Sequence, residues 1–242
     1  MSTARRLLEL LADGRLHSGP ALAARCGVSR AAVGRHVARL REAGWPVVAR
    51  RGAGYRMAPG AGMLDRAAIE AELAAVRDRV AGLEVLLEVD STSTRLAQAA
   101  VPPDGRALLC IADHQSAGRG RRGRGWHAPA GGAITLSLAR RFARAPAELM
   151  PLGLVGGAAV AEELRAAGLG AVALKWPNDV LVAGAKLGGV LVEVSGDPGG
   201  RARATVGVGL NHDLGGAAGP GDQPVTDIAR HLEPAPDRSR LA

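Results

Sequence analysis

The chain has 242 residues, of which 47% are hydrophobic and only 2% aromatic, so its core must be built mainly from alanine, valine and leucine. No apolar run reaches the roughly 18 residues of a membrane-spanning helix, and acidic residues among the N-terminal leucines argue against a secretory signal. Cys26 and Cys110 lie far apart and outside any CxxC pair, so we expect two buried thiols. These features predict a cytoplasmic protein without a membrane contact.

The formal net charge of +8 belongs to the first quarter of the chain. Residues 1–60 hold 11 arginines against three acidic residues, whereas basic and acidic groups are equal in number over the rest of the chain. A basic excess confined to one small segment is typical of a domain that binds a polyanion. The charge therefore points to a nucleic-acid partner for residues 1–60.

Three short helices are predicted within these sixty residues. The leucines of "TARRLLELLAD" lie on one face of a first helix. Ser18 is placed to cap a second helix, which Gly27 ends, and Ser29 is placed to cap a third helix, which Gly44 ends. The segment is therefore a compact helical module.

The second and third helices have the spacing of a helix-turn-helix motif. Ala23 is small enough for the helices to approach, Gly27 makes the turn and Val33 packs between them. The following "WPVVARRGAGYRM" predicts two strands of a basic wing. We predict a DNA-binding winged helix-turn-helix; the alternative is a three-helix module that uses arginine for solubility. The candidate DNA contacts are Arg30, Arg35, His36 and Arg39 on the third helix, and Arg50 and Arg51 on the wing.

A Pro/Gly-rich stretch over residues 57–66, "MAPGAGMLDR", predicts a domain boundary, which divides the chain into domains 1–60 and 61–242. The predicted elements after it are helix 65–80, strand 83–90, a helix from Thr92, strands 106–112 and 132–141, helix 146–167, and strands 171–176, 187–195 and 202–209. Hairpin-paired strands with interposed helices predict an α+β fold around a mixed sheet. Neither a P-loop nor a Rossmann glycine pattern is present, so a nucleotide would be held in another way.

The loop "GRGRRGRGW", Gly118 to Trp126, lies between two apolar runs, whereas disordered Arg/Gly segments lie in polar surroundings. Its four glycines permit positive φ angles and a close approach of backbone N–H groups to a ligand. Its four arginines supply forked donors that suit phosphate, and Trp126 adds an apolar wall. We predict a loop that binds a small anion joined to an apolar or heterocyclic group; nucleic acid is the alternative.

Two further polar clusters are candidates for ligand contact. "LKWPNDVLVAGAKLGGVLVEV" contains Lys175 and Lys186, the only lysines among 31 basic residues, which suggests that this segment needs a compact ammonium; chance is the alternative. Asp179 in the same segment can orient a lysine, hold Mg²⁺ or cap a turn. "DSTST" over residues 90–94 places hydroxyl groups at a strand-to-helix junction, where they can cap the helix, contact a ligand or do both.

In combination these motifs resemble biotin–protein ligase. The resemblance rests on "STS" after a strand, "HQSAGRGRRGRGW", "KWPND", "AKLGGVLVE" and "GVGLN", and it covers nearly the whole chain. With a winged helix in front, the chain is similar to the bifunctional members that also repress a biotin operon. The lipoate-type ligases are a more distant alternative, because the glycine–arginine loop and KWPND together point to biotin.

The resemblance implies an enzyme that joins biotin to ATP, forms biotinyl-5′-AMP, and transfers biotin to a lysine of the biotin carboxyl carrier domain of a carboxylase. It implies ATP and Mg²⁺ as cofactors, operator DNA as a second partner and a homodimer of the adenylate-bound form. Lys186 and Arg121 are the implied catalytic residues, and Asp179 is the candidate Mg²⁺ ligand. The implied biotin and adenylate contacts are Ser91, Thr92, Ser93, Gln115, Gly118, Arg119, Gly120, Arg121, Trp126, Lys186, Gly189, Gly207 and Asn211.

The sequence departs from the family pattern in two places. The family often has asparagine where Ser93 stands, which leaves that contact open. Family members usually continue past the position of "PDRSRLA" into a small SH3-like barrel, so we expect this barrel to be absent and keep a second function open: a biotin- or adenylate-sensing repressor with little transfer activity. The Gly/Pro-rich stretch 213–227 is predicted to be mobile without ligand.

Overall fold

The fold was analysed in a computed structural model, which describes residues 2–58, 62–197, 199–216 and 223–242. The chain divides into two compact units, Met1–Met63 with Pro129–Gly131, and Leu64–Ala128 with Gly132–Ala242. Residues 59–61 of the predicted hinge and residues 217–222 of the predicted mobile stretch lie outside the described residues. Within the described ranges, no helix combines the length and hydropathy that a bilayer crossing needs.

The first unit contains three helices and a two-stranded hairpin: α1 (Thr3–Leu11), α2 (Gly19–Cys26), α3 (Arg30–Glu42), β1 (Val47–Arg50) and β2 (Gly54–Met57). The side chains of Ser18 and Ser29 cap α2 and α3 as predicted, and Gly27 ends α2 with a φ of 67°. Val33 is fully buried between the helices. The predicted winged helix-turn-helix is therefore confirmed.

The second unit is built around a seven-stranded sheet. Its α-helices are α4 (Arg66–Glu72), α5 (Thr92–Ala97), α6 (Leu152–Ala166) and α7 (Arg238–Leu241). Its strands are β3 (Val80–Val89), β4 (Ala107–Gln115), β5 (Ala133–Phe142), β6 (Val172–Lys175), β7 (Asp179–Val182), β8 (Ala185–Asp197) and β9 (Arg201–Asn211). The order in the sheet is β3-β4-β5-β9-β8-β7-β6, with β3 and β4 parallel and the other neighbours antiparallel. The predicted α+β fold with a mixed sheet is confirmed.

The two faces of this sheet have different roles. Val190 and Val206 face α6 and form part of an apolar layer. Because side chains alternate along a strand, Ser137 and Gly207 point to the opposite face, where α5 packs. The alternation thus separates an apolar face under α6 from a more polar face under α5.

The predicted helices in this unit are too long in two places. The predicted helix 65–80 consists of α4 followed by a 3-10 segment, Leu73–Arg79, which is itself interrupted by the non-helical backbone angles of Val76. The predicted helix 146–167 divides into a 3-10 turn, Pro146–Leu149, and α6, because Pro151 has no N–H to continue the ladder. Strand β7, four residues that form a hairpin with β8, is absent from the predicted elements.

Candidate functional site

Hydroxyl groups gather at the junction of β3 and α5. The Ser91 side chain caps α5, and the backbone N–H of Thr92 donates to Gln115 Oε1 on β4 at 2.8 Å. The Thr92 hydroxyl donates to the same oxygen at 3.1 Å. Ser91, Thr92 and Ser93 are each no more than 5% exposed, so this polar cluster lies inside the molecule.

Ser137 on β5 is a member of this cluster that sequence analysis missed. It is fully buried, and its Oγ lies 2.8 Å from Thr92 Oγ1 and 3.0 Å from Ser93 Oγ. The only signal in the sequence is a serine on one alternating face of the apolar strand "AITLSLARRF". That signal names no partner, because the residues it contacts are 44 and 45 positions away.

Helix α5 is held in place from both sides. Arg95 makes two hydrogen bonds to Glu84 on β3, at 2.8 and 2.9 Å, and these bonds lower the pKa of the Glu84 carboxyl. Arg203 on β9 donates to the backbone carbonyls of Leu96, Ala97 and Ala99 at the end of the helix. These contacts fix the position of the hydroxyl groups at the start of α5.

The glycine–arginine loop is a small hairpin with its own hydrogen bonds. Trp126 N–H donates to Gly118 O at 2.9 Å, and Gly120 N–H donates to Arg124 O at 2.7 Å. The turn is closed by Arg124 N–H, which donates to Arg121 O at 3.2 Å. These bonds make the loop a hairpin with a defined turn.

The glycines of this hairpin serve mainly for close packing, which differs from the expectation of positive φ angles. Of the four, only Gly123 has a positive φ, while Arg122 also adopts one, at 56°. A Cβ on Gly118 would lie 2.5 Å from Trp126 O, and a Cβ on Gly125 would lie 2.4 Å from the His127 ring. A larger residue at Gly118 would therefore collide with the backbone of the opposite arm, and one at Gly125 would displace the His127 ring.

Side chains from the hairpin fasten it to neighbouring elements. Arg119 forms an ion pair with Glu193 on β8 and donates to Thr94 Oγ1 at 3.4 Å. Arg121 donates to Asn178 Oδ1 at 3.4 Å, which ties the turn to the KWPND segment. The roles of Glu193 and Thr94 were missed in the sequence, because nothing local in the sequence pairs them with Arg119.

Trp126 covers a small cavity of about 40 Å³, which we call the hydroxyl pocket. Its indole lies against Gly209, where a Cβ would come within 2.7 Å of the ring. The indole Nε1 is buried and has no hydrogen-bond partner in the described part of the chain. The residues that line the pocket are Ser91, Thr92, Ser93, Gln115, Arg119, Trp126, Leu136, Ser137, Gly189, Leu191, Gly207, Val208 and Gly209.

On the other side of the hairpin lies a cavity of about 390 Å³, which we call the basic cavity. Four cationic side chains and one carboxylate line it, a composition suited to a polyanion. Its lining residues are Arg121, Arg122, Arg124, Lys175, Trp176, Pro177, Asn178, Asp179 and Gln223. The hairpin thus contributes to both cavities, with Arg119 and Trp126 at the hydroxyl pocket and Arg121, Arg122 and Arg124 at the basic cavity.

Lys186 pairs with Asp179 across the β7–β8 hairpin, with 2.8 Å between Nζ and Oδ1. The backbone of Lys186 also bonds to Pro224 O and Thr226 N, so part of the stretch predicted to be mobile is paired with β8. Asn211 is buried and donates to Thr226 O at 2.9 Å, which places it behind this contact. The Lys186 ammonium is thus held beside the basic cavity.

Comparison with known proteins gives the family. Residues 87–211, more than half of the chain, match the Biotin/lipoate A/B protein ligase family, and residues 3–56 match an HTH domain. The chain belongs to the biotin/lipoate A/B protein ligase family.

Its relatives in this family include two-function proteins. The Bifunctional ligase/repressor BirA of Salmonella typhimurium is 40% identical over 205 residues, which are 85% of this chain and 62% of the relative. The BirA of Escherichia coli is 39% identical over 206 residues, with the same two coverages. The Biotin--[acetyl-CoA-carboxylase] ligase of Mycobacterium tuberculosis is 39% identical over 165 residues, 66% of this chain and 59% of that protein. The chain thus spans about 62% of the length of the BirA relatives.

Two solved structures of the family are similar to this chain. The biotin protein ligase of Aquifex aeolicus in complex with biotin and ATP matches with a TM-score of 0.55 and 32% identity, over 66% of this chain and 65% of that one. The biotin protein ligase of Leishmania major in complex with biotin matches with a TM-score of 0.54 and 28% identity, over 66% and 69%. These matches agree with the mixed sheet described above.

The ligase-family fold brings most of the predicted site residues together. Ser91, Thr92, Ser93, Gln115, Arg119, Trp126, Gly189 and Gly207 line the hydroxyl pocket, and Arg121 and Asp179 line the basic cavity. Gly118 and Gly120 form the hairpin backbone between them, whereas Asn211 points toward Thr226. The predicted DNA contacts lie in the first unit, where Arg30, Arg35, Arg39, Arg50 and Arg51 are exposed and His36 is partly buried.

The two cysteines of this family member differ in their surroundings. Cys110 is fully buried on β4, and burial raises the pKa of its thiol to about 12. Cys26, at the end of α2, is only partly buried, so the expectation of two buried thiols is wrong for this residue. Both are free thiols, and neither lines the two cavities.

Proposed function

We propose that the chain is a biotin–protein ligase that forms biotinyl-5′-AMP from biotin and ATP and transfers biotin to a lysine of a carboxylase carrier domain. The observation that best supports this proposal is the glycine–arginine hairpin, which contributes residues both to a pocket of neutral hydroxyl and amide groups and to a basic cavity. Biotin has a neutral ureido head and a carboxylate tail, and ATP supplies the polyanion. The similar Aquifex aeolicus structure holds these two ligands.

The hydroxyl pocket suits the ureido head of biotin. Ser91, Thr92, Ser93 and Gln115 offer hydroxyl and carboxamide groups, and Gly189 and Gly207 leave space at the pocket wall. The buried Trp126 Nε1, with no partner among the described residues, is a donor that a bound ligand can satisfy. We assign the ureido head of biotin to this pocket; because its volume of about 40 Å³ is close to that of one water molecule, the surrounding side chains must shift to admit the ring.

The basic cavity suits the triphosphate of ATP. The biotin carboxylate must attack the α-phosphorus, which its own oxygens surround with negative charge. In this proposal Arg121, which lines the basic cavity, and Lys186, which pairs with the cavity residue Asp179, lie near the α-phosphate, where their charges would offset this repulsion and stabilise the transition state. The hairpin around Gly118 and Gly120 would then cover the adenylate and exclude water.

We propose that ATP binds as its Mg²⁺ complex. Among the described residues no group of three or more His, Cys, Asp or Glu side chains can hold a metal, and Asp179 is paired with Lys186. A single carboxylate beside a basic cavity fits a magnesium ion that is held mainly by nucleotide phosphates. Such an ion would reduce the charge of the phosphates, which would supply most of its ligands, since the one carboxylate at the cavity, Asp179, is engaged by Lys186.

The N-terminal domain, residues 1–60, is proposed to bind operator DNA, and residues 61–242 to carry the ligase site. Arg35 and Arg39 lie on the exposed face of α3, opposite the buried Val33, as a helix in the major groove requires. Arg50 and Arg51 are exposed at the wing, where they can reach phosphates. The similarity of the chain to bifunctional BirA proteins also supports two further proposals: the protein is cytoplasmic, and it forms a homodimer when the adenylate is bound.

The test of the ligase function is biotin transfer to a purified biotin carboxyl carrier domain with ATP and Mg²⁺. Mass spectrometry should show one biotin on one lysine of the acceptor and none on an acceptor with that lysine replaced by arginine. Biotin binding without transfer would contradict the ligase proposal and favour the sensing repressor.

The test of DNA binding uses a duplex selected by the full chain from a random pool. Since each phosphate contact contributes about 0.9 to the slope of log affinity against log salt, Arg50→Gln should lower the slope by about one. Arg35→Gln should instead leave the salt dependence unchanged and weaken the preference of the protein for the selected base sequence. Equal binding by the wild type and the double variant Arg35→Gln/Arg39→Gln would exclude α3 as the recognition helix.

A further inference from the structure

Three hydroxyl groups and one carboxamide form a continuous chain of hydrogen bonds at the hydroxyl pocket. Ser93 Oγ lies 3.0 Å from Ser137 Oγ, and Ser137 Oγ lies 2.8 Å from Thr92 Oγ1. The chain ends at Gln115 Oε1, 3.1 Å from Thr92 Oγ1. Ser137 is fully buried at its centre, and the proposed function gives it no role.

The Gln115 end of this chain determines which hydroxyl group donates and which accepts in each hydrogen bond. The backbone N–H of Thr92 can only donate, so the carboxamide atom 2.8 Å from it must be the oxygen of Gln115. That oxygen has no hydrogen, so the Thr92 hydroxyl donates to it. Each hydroxyl has a single proton, so Ser137 must donate to Thr92, and Ser93 must donate to Ser137.

The fixed direction determines what the pocket offers to a ligand. Because Ser93 has used its proton, its oxygen can only accept from the pocket. Gly207 keeps this oxygen accessible, since a Cβ there would lie 2.7 Å from Ser93 Oγ. The Gln115 oxygen faces Thr92, and the Gln115 amide nitrogen lies on the side of Gly118, 3.2 Å from where a Cβ on that glycine would be. An amide nitrogen does not accept hydrogen bonds, so it can only donate.

We propose that Ser137 is a positioning residue that sets this direction, so that Ser93 accepts an N–H and Gln115 donates to a C=O of the bound ligand. A cyclic urea carries an N–H directly beside a C=O, so it has both the donor and the acceptor that these two groups require. The inference rests on the proposed function, in which the ligand is the ureido ring of biotin. Ser93 then has a specific role, as the acceptor for an N–H group of the ligand.

The test is a double-mutant cycle of biotin binding, measured by calorimetry on the full chain. Ser137→Ala frees the Ser93 proton and should weaken biotin binding about tenfold, the effect of one lost hydrogen bond in a buried site. Ser93→Ala removes the acceptor and should cost at least as much. In Ser93→Ala/Ser137→Ala the second change should add less than about twofold, because Ser137 acts through Ser93.

Kinetics and a second substitution separate positioning from general damage. Ser137→Ala should raise KM for biotin about tenfold and leave KM for ATP and kcat unchanged, as expected for the loss of one buried hydrogen bond on the ligand. Ser137→Cys fills a similar volume with a weak donor and should reproduce the loss if Ser137→Ala proves unstable. Ser195→Ala, on the exposed end of β8, is the matched control and should bind biotin as the wild type does.

The outcomes distinguish this inference from the function on which it rests. A wild-type chain that does not bind biotin overturns the proposed function. A wild-type chain that binds biotin while Ser137→Ala and Ser137→Cys bind equally well overturns only the role of Ser137. Fully additive losses in the double variant also overturn it, because they show that Ser137 does not act through Ser93.

Discussion

At the scale of single residues, the role of Asp179 is the point that the structure sharpens most. The sequence left three roles open: a lysine partner, a magnesium ligand and a turn cap. The 2.8 Å contact with Lys186 favours the first, and the two side chains are only 17% and 24% exposed, so solvent screens the pair incompletely. We therefore expect Asp179 to act mainly by holding the Lys186 ammonium in position.

Substitutions at Asp179 and Lys186 should slow adenylate formation, which can be measured as the rate of pyrophosphate release. Lys186→Ala should slow adenylate formation by about 100-fold or more, the usual effect of losing one donor to a developing charge. Asp179→Asn keeps an acceptor but loses the charge, so a smaller loss of about tenfold is expected, and Asp179→Asn/Lys186→Ala should be no slower than Lys186→Ala. Asp197→Asn at the end of β8 is the control. A raised Mg²⁺ requirement in Asp179→Asn would instead favour the metal role.

At the scale of elements, the glycine–arginine loop is a hairpin fastened at two points. Its backbone pairs with itself between Gly118 and Trp126, and Arg119 joins it to β8 through Glu193. Arg121 joins its turn to Asn178. Opening the hairpin therefore requires that these side-chain contacts break, whereas the hairpin itself can move as one piece.

Glu193→Gln should loosen the hairpin without changing the cavities. The ion pair is partly exposed, so its loss should cost about 0.2–1 kcal/mol and raise the release rate of biotinyl-5′-AMP by no more than about fivefold. Release can be measured by trapping the free adenylate after a single turnover. Glu162→Gln, exposed on α6, should leave the rate unchanged. Slower release in Glu193→Gln would show that the pair holds the hairpin open.

At the scale of the whole molecule, a buried ion pair joins distant parts of the second unit. Arg238 of α7 pairs with Asp113 of β4, and the two residues are 6% and 4% exposed. Asp113 also accepts from Leu64 N–H at 3.0 Å, ahead of α4, and Arg238 donates to Ala133 O at 3.0 Å. The pair thus fixes the last helix and the start of the unit to the central sheet.

Arg238→Met should leave the Asp113 carboxylate buried without its cation. Breaking a buried pair in this way costs about 3–5 kcal/mol, which urea unfolding can measure. Asp113→Asn/Arg238→Met removes both charges and should recover part of this loss. Arg240→Met, exposed on the same helix, should change stability by less than about 0.5 kcal/mol. A similar loss in both methionine variants would show that the ion pair is not the cause.

The sequence by itself determined the features that depend on neighbouring residues. Ser18 and Ser29 each cap a helix by accepting from a backbone N–H three residues later, so these caps can be predicted locally. The strands of the sheet can be predicted from their apolar runs and from the alternation of side chains within them. The glycine–arginine loop and KWPND also stood out, since their unusual composition is itself local. The ends of the helices are not determined locally, because the effects of Val76 and Pro151 depend on how the flanking segments pack.

Only the tertiary structure decided which distant side chains complete the candidate site. Ser137 meets Ser93 across 44 positions, and Glu193 meets Arg119 across 74. No periodicity encodes such pairs, because they arise when strand order brings β4, β5, β9 and β8 side by side. The sequence could therefore supply the groups that the site uses, whereas the order of the strands decided which of them share a pocket.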